Sequence, residues 1–104
     1  MSFPAICPLA KPLWLPGNKH GGALRRSRGL VLHVNAGNGN PYNWWMNPAA
    51  PAASSHFQVM KDGTLFQFVR LDEVAWCQVA GNADWHSVET EGFPEEPLTE
   101  KQLQ

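Results

Sequence analysis

The chain is 104 residues long, room for one small domain, and 43% of it is hydrophobic, enough for a core. Eight basic and nine acidic side chains leave a net charge of −1, which argues against nucleic acid or an anionic membrane as a partner recognised by bulk charge. No apolar run approaches the ~20 residues of a membrane span, and no basic segment followed by an apolar one marks a signal peptide.

Residues 1–28 read as an extended N-terminal arm. Pro4, Pro8, Pro12 and Pro16 recur at every fourth position and forbid a continuous helix; Trp14 and Leu15 are expected to pack on the body. Lys19, Arg25, Arg26 and Arg28 read as a solvated loop, with contact to an acidic polymer as the alternative. Cys7 and Cys77 match no CxxC spacing, which excludes a zinc ribbon or a thioredoxin-type motif and leaves two free thiols or one disulfide.

Residues 29–35 read as a strand. Leu30, Leu32 and Val34 share one face, Val31, His33 and Asn35 the other; with both faces largely apolar, a central strand covered on both sides is expected. A long loop follows, in which Asn40-Pro41 favours a helical turn over Tyr42 to Met46. Residues 56–60 and 65–71 form two strands about the turn signal Lys61-Asp62-Gly63-Thr64. Residues 72–86 are expected to be irregular and residues 88–92 to form a fourth strand. Thr99 and Gln102 fit the N-cap and N3 positions of a capping box. Only Glu100 to Gln104 follow, too short for a helix that stands alone, so the chain is expected to be a fragment or a natural truncation.

Four segments in this order, LVLHVNAG, SSHFQVMKDGTLFQFV, EVAWCQVAGN and SVETEGF followed by PLTEKQL, resemble the zinc-dependent N-acetylmuramoyl-L-alanine amidases, a group that includes phage endolysins and peptidoglycan recognition proteins. The resemblance covers about residues 29–104, the expected N-terminal part of a single amidase-like domain. It implies an α/β fold with a mixed central β-sheet and flanking helices, the C-terminal helices being missing from this chain. It also implies Zn2+ as cofactor and peptidoglycan, both glycan and stem peptide, as partner. The implied activity is hydrolysis of the amide between N-acetylmuramic acid and L-alanine. The short loops and WWMNP look most like endolysins, which implies action from the host cytoplasm on the cell wall.

The resemblance also assigns residues. His33 occupies the position of a family zinc ligand; its alternative is a strand histidine satisfied by a backbone carbonyl. The other family ligands follow the helix that begins near Thr99, past the end of this sequence. Glu89 matches the glutamate that activates the attacking water, against the alternative of an edge strand with acidic side chains in solvent. Asn35 and Asn82 are expected to hydrogen-bond the stem peptide. Trp44 and Trp76 are expected to meet sugar rings, Trp44 being the more exposed, unless tryptophans plug the small core. His56, in Ser-Ser-His-Phe, is expected to be structural, His20 to be exposed and His86 to line the groove; a zinc site made of His33, His56 and His86 is the minority alternative. Two further readings compete with the enzyme: a non-catalytic peptidoglycan-binding module, and an interaction fragment that self-associates through an uncovered apolar sheet face.

Overall fold

A computed structural model describes residues 5–24, 27–35, 37–49, 53–76 and 84–103. The strands are β1 (Lys11–Pro12), β2 (His20–Ala23), β3 (Leu30–Val34), β4 (Phe57–Val59), β5 (Leu65–Gln67), β6 (Glu73–Ala75) and β7 (His86–Thr90); the helices are α1 (Tyr42–Met46) and α2 (Glu100–Leu103). Five strands form a mixed sheet in the order β1-β5-β4-β7-β3, and β2 pairs with β6 in a two-stranded ribbon. β3, β7 and β4 run parallel, β4 and β5 are an antiparallel hairpin, and β1 runs parallel to β5. This is the α/β fold with a mixed central sheet that the sequence led us to expect.

Local chemistry explains the hairpin. The Asp62 carboxylate accepts from the Thr64 N–H at 2.9 Å, and Gly63 turns the chain at φ +90°, a conformation that glycine adopts without steric cost. The N-terminal segment is less of an arm than expected, since it contributes β1 and β2. Leu15 is buried as expected, whereas Trp14 is exposed.

Three other expectations are corrected. β3 lies at the end of the sheet order, not at its centre, and Leu30, Leu32 and Val34 are exposed, Leu32 at 64%. Alternating apolar residues describe a strand's two faces without saying whether a neighbour covers them. Residues 72–86 are not all irregular, because β6 and the start of β7 lie within them. β6 is three residues long and owes its pairing to the distant His20–Ala23 segment, so no local period announces it. The strand expected over residues 65–71 ends at Gln67, before a turn in which the Glu73 N–H donates to the Arg70 carbonyl at 3.0 Å.

Register divides the large sheet into two chemically different faces. One row places Lys11, Phe66, Gln58, Glu89 and His33 side by side across all five strands. On this face α1 turns Tyr42 and Trp45 onto Phe68, with ring centroids 5.7 and 5.6 Å away. Leu15, Phe68, Val69 and Ala75 make the buried core there. The opposite face carries Leu32 beside Val88 and Phe57, and Val34 beside Thr90 and Val59. A groove of about 450 Å³ crosses this second face, bordered by Leu98 and Leu103 next to α2.

Candidate functional site

The polar row of the first face holds the site. His33 is half-buried on β3, and its register partner on β7 is Glu89, about 4.8 Å away by strand spacing. β7 lies between β4 and β3, so Glu89 sits inside the sheet, which rules out the solvent-facing edge strand as its setting. Gln58, fully buried, is the partner of Glu89 on the other side.

Asn35 follows β3 and reaches across β7. With its amide turned so that nitrogen meets acceptors, its two N–H bonds face three of them: Glu89 Oε2 at 3.0 Å, the Thr90 carbonyl at 3.1 Å and Gln58 Oε1 at 3.2 Å. Its oxygen accepts from Gln58 Nε2 at 3.0 Å. The fold thus joins His33, Asn35 and Glu89, three residues singled out in the sequence, and adds Gln58, which the sequence reading missed. The available signal was Gln58 itself, an amide in phase with the core side chains of a short apolar strand.

The second glutamate of the motif has different work. Glu91 accepts from the Gly39 N–H at 2.6 Å and from the Lys61 N–H at 2.8 Å. Both carboxylate oxygens tie backbone together, one to the loop after β3 and one to the β4–β5 turn. Of the two glutamates, Glu89 is the one joined to the polar row at His33.

The remaining histidines are structural. His56 is fully buried: its Nε2 donates to the Glu73 carbonyl at 2.7 Å, and its Nδ1 accepts from the Ser87 N–H at 3.2 Å. A backbone N–H can only donate, so Nδ1 carries no proton and the ring is the neutral Nε2–H tautomer. Burial pushes its pKa down to about 4; the hydrogen bond to Glu73 opposes this, and His86 and His20 add to it. His86 does not open on a groove: its Nε2 hydrogen-bonds the Leu71 carbonyl at 2.9 Å and its ring packs edge-on against His56, 4.8 Å between centroids. His20 is not exposed either, its side chain being 11% accessible and its Nδ1 3.9 Å from Glu73 Oε2.

The tryptophans divide. Trp44 is 58% exposed on the outer side of α1. Trp76 follows β6, where its N–H donates to Ser54 Oγ at 3.0 Å. Its indole closes over Gly21 so tightly that a Cβ there would lie 3.1 Å from Nε1, which ties this side chain to the small ribbon. Trp45, on Phe68, is the tryptophan that fills core space. Asn82 and Cys77 lie outside the described residues; Cys7 is a free thiol.

A hydrolytic zinc ion needs three protein ligands and an open position. Among the described residues, no three His, Cys, Asp or Glu side chains converge in that way. His56 has both ring nitrogens engaged, which removes the alternative site of His33, His56 and His86. The described residues alone therefore do not fit a complete zinc centre.

Comparison with known proteins gives these observations a context. Residues 23–104 match the family model described as N-acetylmuramoyl-L-alanine amidase. No curated protein sequence matches. A selenomethionine derivative of AmpD superposes with a TM-score of 0.79 at 18% identity, covering 98% of this chain and 72% of that one. The endolysin amidase LysCS from Clostridium intestinale URNW gives 0.77 at 19%, covering 95% and 68%. The Drosophila peptidoglycan recognition protein SA gives 0.70 at 15%, covering 91% and 66%. At these identities the superpositions establish a shared fold.

Proposed function

Because this chain belongs to the N-acetylmuramoyl-L-alanine amidase family, we propose that it serves zinc-dependent hydrolysis of the peptidoglycan amide between N-acetylmuramic acid and L-alanine. The setting proposed is endolysin-type lysis, with the protein acting on the wall from the host cytoplasm. The observation that carries the reading is the row in which His33 stands beside Glu89, with Glu89 bonded to Asn35. Glu89 takes a proton from the attacking water and returns it to the departing amine, the exchange that amide hydrolysis requires of a general base. His33 is proposed as one zinc ligand, with its partner donors outside the described residues. Trp44, exposed on α1, is proposed to meet the glycan. Trp76 and Asn82 are retained as candidate contacts to the substrate.

A second reading is a module that binds peptidoglycan without cutting it. One experiment separates the two: wall fragments are incubated with the chain and zinc, released amino groups are counted, and muropeptide binding and bound zinc are measured in parallel. Glu89→Gln is expected to lower kcat about 100- to 10,000-fold with little change in KM, and His33→Ala to abolish zinc binding. Binding without release supports the module; neither binding nor release overturns both readings.

A further inference from the structure

Resting on the reading of Glu89 as the proton-transferring carboxylate, we propose that Asn35 is a positioning residue, locked by the buried Gln58, whose role is to aim Glu89 and not to bind the stem peptide.

Asn35 and Gln58 form a reciprocal amide pair: Asn35 donates to Gln58 Oε1 at 3.2 Å, and Gln58 Nε2 donates to Asn35 Oδ1 at 3.0 Å. The pair fixes which end of each amide faces which way. Gln58 is fully buried in β4, and its amide also reaches Met60 Sδ at 3.6 Å, so rotating it would strand polar atoms without partners, which is costly in a core. With its oxygen held by Gln58, Asn35 can present only N–H to its other neighbours. Those neighbours are Glu89 Oε2 at 3.0 Å and the Thr90 carbonyl at 3.1 Å, both acceptors. The backbone reinforces the placement, since the Asn35 N–H donates to the Thr90 carbonyl at 2.9 Å.

With one amide proton on Gln58 and the other shared between Glu89 Oε2 and the Thr90 carbonyl, Asn35 has no side-chain proton left for a ligand. A stem peptide would have to displace one of these bonds to gain its own. A charge-assisted N–H bond to a carboxylate is among the stronger hydrogen bonds a side chain makes, and a general base works only when held within reach of its proton. Gln58, Asn35 and Glu89 come from three neighbouring elements, so the orientation of Glu89 is built into the sheet.

The test combines kinetics with side-chain amide NMR of the full chain. In the wild type, the Asn35 amide protons are expected to be protected from exchange. Glu89→Ala is expected to move the Asn35 signals, and Asn35→Ala to move those of Gln58. Kinetically, Asn35→Ala is expected to lower kcat about 10- to 100-fold, the usual cost of losing a group that orients a functional one, with KM unchanged. Asn35→Asp, nearly the same size but an acceptor facing a carboxylate, is expected to be no better than Asn35→Ala. Asn35 protons exchanging as in solvent, or signals indifferent to Glu89→Ala, would overturn the proposal, as would a raised KM at constant kcat. If the wild type hydrolyses nothing, or Glu89→Gln is as fast as wild type, the functional reading fails instead, and the spectra still decide whether Asn35 holds Glu89.

Discussion

His56 shows what burial does to a single titratable side chain. Its neutral ring bridges the Glu73 carbonyl and the Ser87 N–H with no exposure to water, and protonation would force a second N–H against that donor. The folded pKa of about 4 lies below the ordinary 6.5. Above pH 6.5 both states are neutral and the stability is fully present. As pH falls from 6.5 towards 4, only the unfolded chain takes up the proton, and folding loses on the order of 3 kcal/mol across that window. Asp62, held low by the Thr64 N–H, and Asp72, held low by Arg70, titrate below their ordinary 3.8, so the stability they add is fully present above 3.8 and is lost only as pH falls below it. Urea midpoints are expected to drop steeply between pH 7 and 4.5 in the wild type and to flatten in His56→Gln, a variant less stable at neutral pH. An equally steep fall in that variant would assign the effect elsewhere.

At the scale of elements, Glu91 and Thr99 decide how loops and ends meet the sheet. The capping box read from the sequence forms: the Thr99 N–H donates to Gln102 Oε1 at 2.9 Å, and the Gln102 N–H to Thr99 Oγ1 at 3.1 Å. Thr99 Oγ1 also donates to the Lys61 carbonyl at 2.6 Å, so the start of α2 is tied to the hairpin turn. Glu91 secures the same turn from the other side, through Lys61 N–H, along with Gly39 in the loop after β3. Glu91→Gln keeps one acceptor and sets a donor against a donor. It is expected to cost about 1.5–3 kcal/mol and to speed amide exchange at Gly39 and Lys61 together. Exchange unchanged at both would show that the loops hold without the carboxylate. The capping box was legible because its pattern spans four consecutive positions; the role of Glu91 was not, because its partners are 52 and 30 residues away in sequence.

At the scale of the whole molecule, the two faces of the large sheet differ in what substitution there should do. Phe68 is fully buried beneath α1, and Phe68→Ala is expected to cost about 3–5 kcal/mol. Leu32, of the same apolar character but 64% exposed on the opposite face, is expected to accept Lys within about 0.5 kcal/mol; thermal melts of the two variants check both. The sequence by itself determined the short helix at Tyr42–Met46, the turn at Gly63 and the capping box, because each is written in local spacing, and the α/β class through the resemblance carried by its four ordered segments. Only the tertiary structure decided that β3 lies at the end of the sheet, that Glu73–Ala75 is a strand, that Glu91 staples two loops and that Gln58 and Asn35 converge on Glu89. Those facts depend on which distant segments become neighbours, and a strand's own alternation is the same whether the next strand is present or absent.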